Sequence, residues 1–217
     1  MSIRALLIEV RFVDGRYHGN DDWPPSPFRL FQTLVAGAYG GRWVNEPSEE
    51  KDAAFRWLEC LDPPHIVAPP ARNGARVALY VPNNDLDAYG GDPQRIGDVR
   101  VKKRLIPGLF DQDSPIVYAW PYNEGEEWAA NISALAGRMH TLGLALDAAH
   151  ARAETVSWDQ AEARLPEHSG RVVRPGGDAA RGATCPTEGS LESKHPLYLS
   201  IIHISGEAKL KTYLDVC

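Results

Sequence analysis

The sequence predicts an α+β fold, a small mixed sheet with helices on one face, of the ferredoxin-like kind. Apolar residues alternate with polar ones in several short segments and recur at helical spacing in others. These segments follow one another in the order β-α-α-β-β-α-β. The chain has 217 residues, of which 43% are hydrophobic and 24% are charged, so it is long enough to bury a substantial core.

The first strand and the first helix have the clearest local patterns. Residues 5–13 can place alternate apolar side chains on one face, which is typical of a half-buried strand. The run 23–32 begins with prolines that hold the backbone extended and then starts a helix. Ser26 is the expected N-cap and Pro27 the expected first helical residue, and Gly40 ends the helix.

The remaining elements alternate between helices and strands up to about residue 158. We expect a helix at 48–61, strands at 65–67, 76–81 and 116–120, a helix from about 126 to 143, and a strand at 154–158. Residues 83–108 are rich in Gly, Asp and charge, which predicts a long loop or an extended hairpin. Residues 166–192 have almost no apolar periodicity and predict loop or disorder, followed by one late strand at 197–204.

This pattern divides the chain into a domain at residues 1–160 and a loop-rich, acidic C-terminal extension at residues 161–217. The formal net charge is −6, and it is unevenly distributed. Residues 1–110 carry 14 Lys and Arg against 14 Asp and Glu, whereas residues 111–217 carry 9 against 15. A site for a polyanion is therefore expected in the first half, as a local patch rather than a basic domain.

Several protein classes find no support in the sequence. There is no apolar run of bilayer length and no basic-then-apolar leader, so we expect neither a membrane span nor a signal peptide. Cys60, Cys185 and Cys217 are odd in number and far apart, which predicts no disulfide framework and indicates a reducing cytoplasm. Phosphate-loop, dinucleotide-binding, nucleophile-elbow and metal-ligand motifs are missing, so we expect no cofactor and no metal.

A basic cluster within the predicted hairpin is the first candidate site. It comprises Arg95, Arg100, Lys102, Lys103 and Arg104. If this segment is extended, Arg100, Lys102 and Arg104 project from one side at the spacing of a strand. A run of charge is usually a solvated face, and that interpretation stays open. The functional interpretation is a site for single-stranded nucleic acid, where cations contact phosphates and nearby rings stack on bases.

The second candidate site combines Arg16, Tyr17 and His18 with Arg29 at the start of the first helix. A histidine beside a tyrosine and an arginine could act as an acid or base, or could hold a phosphate or a base edge. A half-buried histidine satisfied by the neighbouring loop is the open alternative. If the chain is a nuclease, Tyr17, His18 and Lys102 could activate a 2′-OH and stabilise the leaving oxygen without a metal.

Several of these segments resemble one protein family. The runs 15–18 and 23–32, which include the Trp-Pro-Pro-Ser-Pro motif, are similar to a CRISPR-associated family. Its members are the backbone-capping subunits of type I, subtype G (formerly U) effector complexes, fusions of the "Cas five" and "Cas six" types. Similar features follow at 63–66, 68–69, 80–85, 115–120 and 142–143, so the likeness covers roughly residues 1–160.

The resemblance implies a ferredoxin-like or RRM-type core that grips the 5′ handle of the guide RNA (crRNA). In such a complex, called Cascade, a hairpin or thumb inserts beside the first backbone subunit, and residues 83–108 are the thumb candidate. The resemblance also implies the backbone and large subunits as partners, with target DNA reached through guide pairing. Arg16, His18 and Arg29 become candidate contacts to the handle bases, and the basic cluster becomes the phosphate contact.

Three functions are compatible with this sequence. The leading hypothesis is a cytoplasmic, non-catalytic RNA-binding subunit that caps the guide handle. The fused members of the family are much longer and carry their ribonuclease half at the C-terminus, so we expect that half to be missing from this chain. The first alternative is a metal-independent ribonuclease that processes precursor guide RNA. The second is a structural adaptor whose acidic second half contacts other proteins.

Overall fold

The structure is a computed structural model that describes residues 3–19, 23–82, 100–165, 170–176 and 183–192, together with Gln94 and Gly97. The elements are, in chain order, β1 (Arg4–Phe12), β2 (Arg16–Tyr17), α1 (Pro27–Tyr39), a 3₁₀ helix (Gly41–Trp43), α2 (Glu49–Glu59), β3 (His65–Ala68), β4 (Arg72–Asn73), β5 (Val77–Pro82), β6 (Arg100–Leu105), β7 (Gly108–Leu109), β8 (Ile116–Tyr122), α3 (Glu126–Ala136), β9 (Ala149–Ser157), α4 (Trp158–Arg164) and β10 (Arg171–Val173). The predicted α+β class is confirmed by this alternation of strands and helices.

The main sheet has five strands in the order β10-β3-β8-β1-β9, and each neighbouring pair is antiparallel. The chain passes from β1 to β3 through α1 and α2, and from β8 to β9 through α3. This is the connection order expected for a ferredoxin-like unit. The sheet is antiparallel rather than mixed. The parallel strands β1 and β3 lie on either side of β8, and the parallel strands β8 and β9 lie on either side of β1, so neither parallel pair is hydrogen-bonded directly.

Helices α1, α2 and α3 cover one face of this sheet. Leu6, Ile8 and Val10 of β1 point to that face and are fully buried, as the predicted alternation requires. They belong to the same core as Leu34 of α1 and Ile132 of α3. The first strand and the first helix are therefore confirmed, together with the capping role of Ser26, whose hydroxyl accepts a hydrogen bond from the Arg29 amide at 3.2 Å.

The prediction of helices on one face holds for α1 to α3 and is wrong for α4. Ala161 of α4 and Leu165 pack with Leu7 and Val67 on the opposite face of the sheet. The sequence pattern assigned Trp158 to the end of a strand, but the helix begins at this residue. The reason is a capping box around Ser157, which ends the strand and satisfies the first amides of the helix.

Two other helix predictions differ from the structure. The helix expected at 48–61 is shorter in the structure, where α2 spans Glu49–Glu59 and Ser48 makes no side-chain capping bond. The helix predicted to reach residue 143 ends at Ala136, because the chain turns after Gly137 while Met139 and Leu142 remain buried as part of a loop. None of the described helices is long and apolar enough to cross a membrane.

Described parts of the C-terminal extension pack onto the first 160 residues. Strand β10 pairs with β3 at the edge of the main sheet, so the prediction of loop or disorder is wrong at 171–173. The Gly189 and Leu191 amides donate to the two carboxylate oxygens of Glu59 at 2.9 and 2.8 Å, and Leu191 joins the main core. The boundary near residue 160 stays a prediction, and the late strand at 197–204 lies outside the described residues.

Candidate nucleic-acid interface

Strands β5 and β6 form a two-stranded hairpin apart from the main sheet. Their register runs from Val77 opposite Leu105 to Pro82 opposite Arg100. The hairpin therefore begins at residue 77, and most of the thumb candidate at 83–108 lies outside the described residues, which include only Gln94 and Gly97 between Pro82 and Arg100. Arg95 lies outside the described residues.

One face of this hairpin carries cations and an aromatic ring. Arg100, Lys102 and Arg104 alternate along β6 and are all exposed, which agrees with the predicted row. Lys102 lies opposite Tyr80, and the guanidinium carbon of Arg100 is 5.0 Å from the centroid of the Tyr80 ring. Because Tyr80 is 57% exposed, its ring is available to a ligand. We call these four residues the cationic face.

Lys103 lies on the other face of the hairpin, opposite Leu79 and near the exposed Val101 and Val77. The predicted basic cluster is therefore divided between two faces. Within the described residues, no ion pair links any of its four cations at 100–104 to a carboxylate. Three of these four cations are concentrated on the cationic face, where their charges favour a polyanionic ligand.

The second candidate site begins on a small three-stranded sheet in the order β2-β7-β4. Arg16 and Arg72 both pair with Leu109, one from each side, so their side chains share one face of this sheet. Both arginines are exposed. Arg72 was missed by sequence reasoning because a two-residue strand has no detectable period, and only the pairing places it beside Arg16.

Tyr17 faces the opposite direction and is only 2% exposed. Its ring lies 5.9 Å from that of Phe12 and 5.8 Å from that of Trp23, measured between centroids. A Cβ atom added at Gly143 would come within 2.7 Å of the Tyr17 ring, so the backbone also closes around it. In this position Tyr17 offers no ring face for stacking on a base.

His18 is held by a buried carboxylate. Its Nδ1 lies 2.6 Å from Asp147 Oδ1, and the same oxygen accepts the His18 amide at 3.0 Å. Asp147 Oδ2 accepts the Leu144 amide at 2.8 Å, and Asp147 is fully buried. A carboxylate beside Nδ1 orients the imidazole ring and favours the tautomer in which Nδ1 carries the hydrogen. This is the geometry of a histidine that fixes two loops to each other.

The residues of the nuclease alternative lie on separate elements. Lys102 is on the hairpin, whereas Tyr17 and His18 are next to the main core. No hydrogen bond or ion pair connects Lys102 to either of them in the described part of the chain. Arg29 is half-buried in the first turn of α1, and we find no described bond from its side chain to Arg16 or His18.

A shallow depression of about 420 Å³ adjoins the small sheet. Its lining residues are Pro70, Ala71, Arg72, Leu109, Phe110 and Asp111. The Phe110 ring stacks on Trp23 at 4.3 Å between centroids, and the indole N–H of Trp23 donates to the Pro69 carbonyl at 2.8 Å. Among the described residues, no three His, Cys, Asp or Glu side chains are grouped so that they could hold a metal ion.

Comparison with known protein families places the chain in one of them. Residues 2–200 match the family described as "CRISPR-associated protein, GSU0054 family". No curated protein matches the chain. Among solved structures, the chain is similar to "Crystal structure of a CRISPR protein from Archaeoglobus fulgidus", with 14% sequence identity and a TM-score of 0.39. That match covers 71% of this chain and 64% of the other, so the chain spans less than two thirds of that protein.

Proposed function

Because the chain belongs to the CRISPR-associated GSU0054 family, we propose that it is an RNA-binding subunit of a type I, subtype G effector complex, or Cascade. In this proposal it corresponds to the "Cas five" part of the fused proteins and caps the 5′ handle of the guide RNA. Its protein partners are the backbone and large subunits, and target DNA is selected by guide pairing. It acts in the cytoplasm as part of antiviral defence.

The cationic face of the hairpin is the observation that carries this proposal. Alternate residues of a strand are about 7 Å apart, so Arg100, Lys102 and Arg104 can contact different phosphates of one extended strand. Tyr80 lies between them and exposes its ring, which suits stacking on an unpaired base. The small size of the patch agrees with a chain whose overall charge is −6.

The ligand is best described as a single strand of RNA rather than a duplex. Side chains cannot read the deep, narrow major groove of an RNA duplex, and its shallow minor groove is recognised mostly by shape, whereas a splayed strand exposes its bases to stacking. Arg16, on the exposed side of the small sheet, and Arg29 are the proposed contacts nearer the handle bases. We propose that His18 positions the segment carrying Arg16 and that Tyr80, instead of Tyr17, supplies the stacking ring.

Removal of the three cations together tests the proposal. Labelled repeat RNA is titrated with the wild-type chain and with the Arg100→Ala, Lys102→Ala, Arg104→Ala variant, in EDTA across a salt series. Loss of three phosphate contacts should weaken binding and reduce the slope of log affinity against log salt by about 2. The matched control removes equal charge from exposed, ion-paired arginines through Arg56→Ala, Arg152→Ala and Arg164→Ala.

The outcomes separate the three functions. An unchanged salt slope in the hairpin variant would mean that the cationic face is only a solvated surface. If the wild-type chain binds RNA at no salt concentration, the adaptor function replaces the RNA-binding one. Discrete RNA fragments in EDTA that disappear in His18→Ala would instead establish a metal-independent ribonuclease.

A further inference from the structure

We propose that the depression beside the small sheet is a subsite for one nucleotide of single-stranded RNA, with Arg16 and Arg72 on the phosphate and Phe110 and Asp111 on the base. The inference rests on the proposed RNA-binding function and extends it to a second surface. The region is built from β2, β4 and β7, and it shares no strand with the hairpin.

The two arginines form the phosphate side of the subsite. They flank Leu109 on the same face, and two strand spacings put their Cα atoms about 10 Å apart, within the reach of two long side chains that converge on one anion. Among the described carboxylates, Arg72 has no ion-pair partner and Arg16 meets only Asp14, at 3.5 Å, with both side chains of that pair exposed. Such an exposed pair is weak, so both guanidinium groups are available to a phosphate.

Phe110 forms the stacking surface. One side of its ring is covered by Trp23, and Phe12 meets it edge to face at 5.3 Å between centroids. Phe110 also lines the depression, so a base that enters would continue a stack whose rings are already packed in place. A pre-ordered ring loses little conformational entropy on binding, which favours a base at this position.

Asp111 supplies a selective hydrogen-bond acceptor at the edge of the depression. Its two oxygens already accept the Ser114 hydroxyl at 2.7 Å and the Asp113 amide at 3.2 Å. These bonds, led by the one from Ser114, lower the pKa of Asp111, so the group stays an ionised acceptor at neutral pH. A carboxylate offers about four lone-pair sites, and it can therefore also accept a bond from the amino group of cytosine, which uracil lacks.

The test uses two RNA probes that differ at that amino group. Fluorescein-labelled oligocytidine and oligouridine of about 12 nucleotides are titrated with the full chain at neutral pH. We expect the wild type to favour oligocytidine by about tenfold and Asp111→Asn to abolish most of that ratio. Arg72→Ala should weaken both probes by about tenfold, and Arg72→Lys, which keeps the charge but not the planar fork, should weaken them less.

Arg152→Ala is the control, since this arginine is 77% exposed on β9 and outside the small sheet. It should leave both affinities and their ratio unchanged. Thermal unfolding of each variant establishes that it is folded, and the conservative Arg72→Lys and Asp111→Asn variants keep the test decisive if Arg72→Ala does not fold.

The outcomes distinguish this inference from the proposed function. If the wild type binds RNA but Arg72→Ala and Asp111→Asn leave the affinities and their ratio unchanged, the subsite is wrong and the RNA-binding function stands. If the wild type binds neither of these probes nor repeat RNA, both proposals are overturned together. Tighter binding of oligoglutamate than of RNA, lost in Arg72→Ala, would overturn the subsite in favour of an acidic protein partner.

Discussion

Two regions carry the residue types that suggested RNA contact, and the structure gives them opposite environments. On the hairpin, Tyr80 and the alternating cations of β6 are exposed and unpaired with described carboxylates. At the end of β2, Tyr17 is enclosed by other rings and His18 is bonded to a buried aspartate. The same residue types are therefore exposed on the hairpin and enclosed in a structural junction at the end of β2, and burial decides which of them a ligand could reach.

The largest expected effect is on stability, at the buried junction. Asp147→Ala removes the acceptor of the His18 amide, the His18 ring and the Leu144 amide, and should lower the free energy of unfolding by about 3 kcal/mol in chemical denaturation. Asp62→Ala, which removes an exposed carboxylate, should change it by less than about 0.5 kcal/mol. An Asp147→Ala variant that keeps full stability but loses RNA affinity would contradict the structural role of the junction between His18 and Asp147.

A second buried carboxylate extends the same test to the C-terminal extension. Glu59→Ala leaves the Gly189 and Leu191 amides without their acceptor and should lower the free energy of unfolding by about 2 kcal/mol. This loss of stability should be accompanied by faster proteolysis within residues 183–192. Stability unchanged by this variant would mean that the extension is not coupled to the core.

Glu59 also predicts a pH dependence. Burial raises the pKa of this carboxyl group, although the two amides oppose the shift. The folded chain therefore holds this proton more tightly than the unfolded chain, whose glutamate pKa is about 4.3. The contribution of Glu59 to stability is present below that value and falls as pH rises through the raised pKa. Denaturation of Glu59→Gln across this window should show a smaller loss with pH than the wild type, and equal slopes would exclude the assignment.

Tyr80 sharpens the comparison from the exposed side. Tyr80→Ala should weaken binding of labelled repeat RNA by about tenfold because a stacking surface is lost, while the melting temperature stays the same. Tyr80→Phe keeps the ring and should retain most of the affinity. A Tyr80→Ala variant that loses stability but not RNA affinity would show that Tyr80, like Tyr17, has a structural role.

The smallest effect compares neighbours on one strand. Lys102→Ala should reduce the salt slope of RNA binding by about 0.7, the value of one single-strand phosphate contact. Lys103→Ala removes the same charge from the other face of the hairpin and should leave the slope nearly unchanged. Equal effects from the two lysines would indicate a diffuse attraction of the whole hairpin rather than a defined cationic face.

The elements predicted well are those whose signal is local. Helix α1 is encoded by Ser26, Pro27 and the apolar spacing that follows, and these residues act on one another within a few positions. The alternating row on β6 is likewise a property of an extended backbone. Local signals could not predict that Tyr17 is buried and Tyr80 exposed, because the burial of each ring depends on segments distant in the sequence.

By itself, the sequence determined the α+β class, the presence of the first strand, the limits of the first helix and the row of cations, since each depends on the preferences of neighbouring residues. Only the tertiary structure decided that His18 meets Asp147, 129 residues away, that Arg72 stands across Leu109 from Arg16, and that Tyr80 shares a face with Lys102. The reason is physical: strand register and burial are set by pairing and packing between distant segments, and no short stretch of sequence contains that information.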